Sequence, residues 1–249
     1  MPHRIPIISD PSQFPSHLAI LNGAPSFDDV FAMSTQINAE WVRSAYMRGL
    51  FPWYSEGMPV FWHSPNPRMV LPIADFKYSP SLKKRLKQWA RQDHLGMRVT
   101  LNHAFESVIS ACANIPRHDQ EGTWITDELR AAYVDLHGQQ AAISVEVWQD
   151  DVLKAGLYGV LIGKMFFGES MFTTITDGSK VALACWVEYL RRHDCTLIDC
   201  QQETHHLTHL GGAPISREAF FVQSAQLMKQ PALDFAAMQL EDNLLDSFR

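Results

Sequence analysis

Three consecutive runs decide the fold: Ala142-Ile-Ser-Val-Glu-Val-Trp148, Val152-Leu-Lys-Ala-Gly-Leu-Tyr-Gly-Val-Leu-Ile162 and Met165-Phe-Phe-Gly-Glu-Ser-Met-Phe172. Ile143, Val145 and Val147 alternate with other residues at a period of two, the spacing of a strand with two different faces. Gln149-Asp-Asp151 and Gly163-Lys164 are turn-forming interruptions, so the three runs predict an antiparallel meander. Asp177-Gly-Ser179 then opens a helix to about His193, with Leu183, Trp186, Val187 and Leu190 on one face, and Thr196–Cys200 returns as a strand. The order β-β-β-α-β predicts a mixed α/β, α+β-like domain with a largely antiparallel sheet.

Upstream, Val42, Ala45 and Tyr46 mark a helix over about 38–49, with Asn38 or Thr35 as its cap and Gly49 as its stop. The stretch from Phe51 to Arg68 is dense in aromatics but broken by four prolines, which excludes a long helix. We place a small N-terminal domain at 1–68 and a second domain at 69–249. The latter is expected to begin with a strand at Met69–Ile73, a basic helix at Ser81–Arg91 and a strand at Met97–Leu101. Asn102 is expected to cap a helix to about Asn114, Glu121–Thr126 to form a loop, and Asp127–His137 to be a helix burying Leu129, Ala132, Tyr133 and Leu136. A last helix over Ser216–Lys229 precedes a polar tail.

Composition narrows the function classes. Twenty-one Lys and Arg against 27 Asp and Glu give a net charge of −6, which argues against a generally basic polymer binder. With 46% hydrophobic residues the 249-residue chain has material for a packed core. Four cysteines, at 112, 185, 195 and 200, are too few for a disulfide scaffold and match no zinc ribbon. The N-terminal residues lack an apolar signal core, and no run approaches the roughly 18 apolar residues of a membrane span. A cytoplasmic globular protein is expected.

Several residues could carry chemistry. Glu169 lies in an otherwise apolar strand, where an unpaired carboxylate would cost several kcal/mol, so it needs a partner, a raised pKa or a pocket. A structural salt bridge would satisfy it as well as a functional site would. Gly168 beside it would admit a ligand to the backbone or mark a bulge. Asp199 and Gln201 are two apart on a strand, which predicts a shared face on which the carboxylate could orient the amide or accept a proton. Taken alone, D-x-Q is more often a polar strand end. The run Lys83-Lys84-Arg85-Leu86-Lys87 is basic within an acidic chain and could grip phosphates, although such runs are more commonly solvated helix faces. Asp177-Gly-Ser-Lys180 is a weak phosphate candidate and otherwise an N-cap. His205, His206 and His209 lack the intervening Glu and second Cys pair of metal motifs, so no metal is expected. Trp53, Trp62 and Trp124 sit off any periodic face and could stack on bases or wedge an interface. A Walker loop, G-x-G-x-x-G and G-x-S-x-G are absent.

Taken in order, AYMRGLFPWYSEG (45–57), WHSPNPRMVL (62–71), EGTWIT (121–126), SVEVW (144–148), GLYGV (156–160), FGESMF (167–172), LIDCQ (197–201) and HL..LGG (206–212) resemble the leucyl/phenylalanyl-tRNA–protein transferases. The resemblance implies a small N-terminal domain joined to one similar to the GNAT acetyltransferases. It also implies transfer of Leu, or of Phe or Met, from aminoacyl-tRNA to the N-terminal Arg or Lys of proteins, creating a degradation signal. The ester is already activated, so no cofactor, neither ATP, metal nor CoA, is implied. By resemblance Trp53 and Trp124 would contact the 3′-adenosine, and Leu157, Phe166, Leu183, Trp186 and Ile198 would line the aminoacyl pocket. Glu169, Asp199 and Gln201 would organise the reacting groups, and Lys83, Lys84, Arg85 and Lys87 would meet the tRNA. The chain departs from the family pattern at Asp29–Ile37, where a Gly-rich segment is usual, and at Leu157 and Trp186, often Met and Phe. The Trp186 indole is expected to narrow the pocket in favour of Leu or Met over Phe. A homologue that binds tRNA ends or protein N-termini without transfer is the alternative. A CoA-dependent acetyltransferase would require a Gly-rich pyrophosphate loop before the last helix, which is lacking.

Overall fold

A computed structural model describes residues 5–23, 29–91, 95–115 and 124–249. The chain runs α1 (His17–Asn22), β1 (Val30–Ser34), α2 (Ala39–Tyr46), β2 (Phe51–Pro52), β3 (Val60–His63), β4 (Arg68–Pro72), α3 (Pro80–Arg91), β5 (Met97–Leu101) and α4 (Phe105–Asn114). It continues through α5 (Asp127–Gly138), β6 (Ala142–Gln149), β7 (Val152–Ile162), β8 (Met165–Thr173), α6 (Gly178–Arg192) and β9 (Leu197–Gln201). The last elements are α7 (His205–His209), β10 (Ala213–Ile215), α8 (Arg217–Met228) and α9 (Phe235–Gln239).

Two sheets result. The smaller has the order β1-β3-β2, and the larger is seven-stranded in the order β10-β4-β9-β8-β7-β6-β5. All neighbours in the large sheet are antiparallel except β8 and β9, which the α6 crossover makes parallel. The expected mixed α/β fold and its β-β-β-α-β order are therefore present. Period-two alternation divides the side chains between two cores. Ile143, Val145, Val147, Leu157 and Phe166 pack with Leu82 and Leu86 of α3 and with Val181, Trp186 and Leu190 of α6. Ala142, Tyr158, Val160 and Phe167 pack on the other side with α4, α5 and the aromatic N-terminal region. That second cluster runs without a break from Ile8 to Phe221, so apolar packing spans the sequence position of the expected boundary at 68.

The local rules mostly hold. Asn38 caps α2 by accepting the Trp41 N–H at 3.1 Å, a contact typically worth ~1 kcal/mol, and Gly49 adopts φ +72° just beyond the helix. Asp150 and Asp151 take positive φ, the geometry of a tight hairpin between β6 and β7. Two expectations fail. Asn102 does not cap α4: its Oδ1 accepts the Ser144 N–H at 3.1 Å, and the buried Glu146 carboxylate takes the Ala104 N–H instead. The tail is not merely polar, because Met238, Leu244 and Leu245 are buried in the α3/α6 core. Within the segment that departs from the family pattern, Val30–Ser34 forms β1 against β3.

Candidate active site

β8 and β9 pair at only two places, Phe166 with Ile198 and Phe167 with Asp199, although β8 runs on to Thr173 and β9 to Gln201. Beyond that point the parallel neighbours part, and a bulge disturbs each of them. On β8, Tyr158 faces Ser170 and Gly159 faces Gly168, so Glu169 is an extra residue on the bulged strand. On β9, Asp199 faces Val70 and Gln201 faces Met69, so Cys200 is extra. Gly159 is required opposite the first bulge, where a Cβ would lie 2.2 Å from the Phe167 carbonyl oxygen.

The Glu169 bulge aims its carboxylate at three donors. Tyr46 of α2 and Gln201 donate to Oε1, the latter at 2.9 Å, and Tyr133 of α5 donates to Oε2 at 2.7 Å. The two phenols also touch each other at 3.1 Å. Burial pushes the Glu169 carboxyl up to about 7. The hydrogen bonds from Tyr46, Tyr133 and Gln201 oppose that rise, and the nearby Asp199 charge adds to it. The tyrosines are themselves pushed well upward, first by burial and then by the Glu169 charge, so both remain phenols and donors. Sequence reading did not assign Tyr46 or Tyr133 a functional place.

Asp199 is placed differently from expectation. A shared face with Gln201 fails, because the Cys200 bulge sets the two opposite the consecutive residues Val70 and Met69, which leave opposite faces of β4. Gln201 also adopts φ +60°, and Asp199 Oδ1 accepts its backbone N–H at 2.9 Å rather than orienting its amide. The amide is held by Glu169. Asp199 is completely enclosed and paired at two points with the equally enclosed Arg68, at 2.8 and 2.6 Å. Removing one member of such a pair typically costs about 3–5 kcal/mol, since the other charge is left buried.

A cavity of about 420 Å³ opens at the fork. Glu169, Gln201, Gly168 and Cys200 form one part of its wall, and Trp53 and Trp124 another. Leu157, Phe166, Leu183 and Ile198 make its apolar lining together with Leu71, Met171 and Leu207. The segments bearing the two tryptophans are joined by a 2.7 Å hydrogen bond between Tyr54 and Thr126, the N-cap of α5. Glu121–Thr123 of the expected loop lie outside the described residues. Trp186 does not reach the cavity, contrary to expectation. It is fully buried behind Phe166, edge-on to that ring at 5.1 Å and stacked on Tyr189 at 5.5 Å. An α6 side chain at that position points into the layer between helix and sheet, not to its open end.

The basic helix presents Lys83, Lys84 and Lys87 to solvent. Arg85 is turned aside, 3.7 Å from Asp177 and over the Trp89 ring. Asp177 occupies the expected N-cap position of α6 at φ +64°, but its side chain caps no backbone N–H and holds Arg85 and Lys180, the latter at 3.4 Å. His206 lines the cavity, and partial burial and then the Lys180 charge lower its pKa. Among the described residues no three His, Cys, Asp or Glu side chains gather as ion ligands, and no helix is long and apolar enough to cross a membrane.

Comparison with known proteins supplies the lineage. The model of the Leucyl/phenylalanyl-tRNA protein transferase family matches residues 70–225, and that of its N-terminal domain matches 35–66. The chain belongs to this family. A leucyl/phenylalanyl-tRNA–protein transferase of Methylibium petroleiphilum is 50% identical over 199 residues, 80% of this chain and 74% of that protein. One from Paraburkholderia phytofirmans is 48% identical over 216 residues, covering 87% and 86% of the two chains. FemX is a far looser likeness, with a TM-score of 0.42, 10% identity and coverage of 77% and 73%. As a leucyl/phenylalanyl-tRNA–protein transferase family member the chain is an aminoacyltransferase; Glu169 and Gln201 lie within the first matched region, and the cavity is lined from both.

Proposed function

We propose that this chain transfers Leu, or Phe or Met, from aminoacyl-tRNA to the N-terminal Arg or Lys of a protein, at the fork between β8 and β9. The observation that carries the reading is the Glu169–Gln201 pair set in the wall of an otherwise apolar cavity. The aminoacyl side chain would enter among Leu157, Phe166, Leu183 and Ile198, and the 3′-adenosine would lie against Trp53 and Trp124, whose faces can stack on a base. The Lys83, Lys84 and Lys87 surface would take the acceptor stem by neutralising phosphates. Residues 1–68 would then be the small N-terminal domain and 69–249 the transfer domain, acting in the cytoplasm where charged tRNA is found.

The chemistry needs little beyond placement, because the ester is already activated. The free α-amine attacks the ester carbonyl, an N–C bond forms, and the C–O bond to the ribose breaks. Gln201 gives its N–H to Glu169, so its amide oxygen is left to accept an N–H of the attacking amine. Ionised Glu169 stabilises the cationic nitrogen that results, and the surplus proton ends on the departing ribose oxygen. A peptide carrying a new N-terminal Leu and a free tRNA are the products.

The test is labelling of an Arg-starting peptide with radioactive Leu from charged tRNA, with an acidic-starting peptide and acetyl-CoA as controls. Label is expected only on Arg- and Lys-starting peptides and only from charged tRNA. Tight binding of charged tRNA with no label transferred would instead favour a homologue that has kept binding and lost the reaction.

A further inference from the structure

The Arg68 guanidinium is completely enclosed and touches two of the three chain segments that deliver donors to Glu169, those of Tyr46 and Gln201. Nε and Nη2 hold the two carboxylate oxygens of Asp199, and Nη1 reaches the Gly49 carbonyl at 3.3 Å. The rings of Phe51 and Phe220 flank the cation at 4.8 and 4.5 Å. Asp199 passes the constraint to Gln201 through its backbone N–H, fixing the left-handed residue whose amide meets Glu169. Gly49 belongs to the turn that closes α2, where its N–H is bonded to the Tyr46 carbonyl, and Tyr46 is another of the Glu169 donors. One cation thus joins the segment after Tyr46 to the segment before Gln201.

We propose that Arg68 is a positioning residue for aminoacyl transfer, acting through Asp199 and the Gly49 turn to bring Gln201 and Tyr46 together on Glu169. The proposal rests on the transfer reading given above. Asp199 is then a strut rather than a proton acceptor: its two oxygens are engaged by Arg68 and the Gln201 N–H, and it forms no part of the cavity wall. The geometry also accounts for the residue type. A planar guanidinium can engage a carboxylate at two points and still direct its remaining nitrogen to a carbonyl, whereas a lysine ammonium is a single point charge. Stability alone does not demand this pair, since a buried ion pair can often be replaced by apolar side chains at no cost. A purely structural Arg68–Asp199 pair would therefore be replaceable by hydrocarbon without loss of rate, and a positioning pair would not.

Two variants separate these cases: Arg68→Lys, which keeps the charge, and the double variant Arg68→Met with Asp199→Leu, which removes both charges. For each, melting temperature, kcat and the KM for Leu-tRNA are measured beside wild type. The expected result is a fold retained in at least the Arg68→Lys protein, an unchanged KM for Leu-tRNA, and a kcat lower by about 10²-fold, the scale of a 1 Å misplacement of reacting groups. Wild-type kcat in either folded variant overturns the proposal, as does a fall in kcat no larger than the loss of folded protein. Should wild type itself transfer nothing, the functional reading fails, a result distinct from equal rates in wild type and variants.

Discussion

Gln201 donates its side-chain N–H to Oε1 of Glu169 across 2.9 Å, bridging β8 and β9 just beyond the place where their backbones stop pairing. The bridge exists because each strand carries one extra residue there, Glu169 itself on β8 and Cys200 on β9. It leaves a carboxylate with three donors around it and an elevated pKa at the wall of an apolar cavity.

That carboxylate makes stability depend on pH in a definite direction. Its folded pKa, about 7, lies above the ordinary 4.5, so the folded state binds more protons between those values and loses stability as pH rises through them. Glu169→Gln carries no such charge. Its melting temperature should gain on wild type steadily from pH 4.5 to 7 and hold a constant difference above that. A difference independent of pH across that range would show that Glu169 is not raised.

Gln201 separates backbone strain from chemistry. Glycine adopts the left-handed region freely, so Gln201→Gly should melt at or above the temperature of Gln201→Ala while losing transfer just as fully. Melting curves and initial rates on the two proteins check this. Recovery of transfer in the glycine variant would mean that the turn, not the amide, is what the reaction uses.

The meander was legible because β6 alternates cleanly and Asp150-Asp151 supplies a turn, and the face of α6 followed from its helical spacing. The proposed site was legible only in part. Glu169 stood out as a carboxylate in an apolar strand, and its partners were also available: Tyr46 and Tyr133 occupy core-facing helix positions where a phenol needs a hydrogen-bond partner. Matching buried hydroxyls to the buried carboxylate would have joined them. The bulges were not legible, since one extra residue in a strand leaves the alternation of its neighbours intact while reversing the face of every residue after it. That is why Asp199 and Gln201 were assigned one face and occupy two. Arg68 was hidden for a related reason: a single basic residue among prolines and aromatics gives no sign that it will be enclosed. Trp186 has the spacing of a core residue, which is what it is; its depth relative to Phe166 depends on helix–sheet packing that spacing does not encode.

Pocket selectivity should therefore respond to Leu157 and hardly to Trp186. Leu157→Ala removes side-chain volume from the cavity wall and should shift the Leu-to-Phe ratio of kcat/KM toward Phe, by about 10-fold or more if each methylene taken from the wall is worth ~1–3 kcal/mol. Trp186→Phe should lower the melting temperature and leave that ratio within about twofold, a change too small to mark a pocket residue. Competition between Leu- and Phe-charged tRNAs reads the ratio directly.

The lysines of α3 should appear in the salt dependence of tRNA binding. Lys83, Lys84 and Lys87 are exposed, so reversing Lys84 and Lys87 to Glu should weaken binding and flatten the log–log salt slope by about 0.7–0.9 for each phosphate no longer neutralised. Arg85→Glu should instead disturb the Asp177 ion pair at the start of α6. An unchanged slope in the lysine variants would make this helix an ordinary solvated surface.

The most direct test of the reacting centre is the single-turnover rate of Leu transfer from tRNA to an Arg-starting peptide, measured for wild type, Glu169→Gln and Gln201→Gly alongside their tRNA affinities. With the pair at the centre of the reaction, wild type transfers, both variants fold, and their rates fall by about 10²–10⁴-fold, the usual contribution of a positioned proton-handling group, while tRNA affinity stays within about twofold. Wild-type transfer rates in both variants would contradict it.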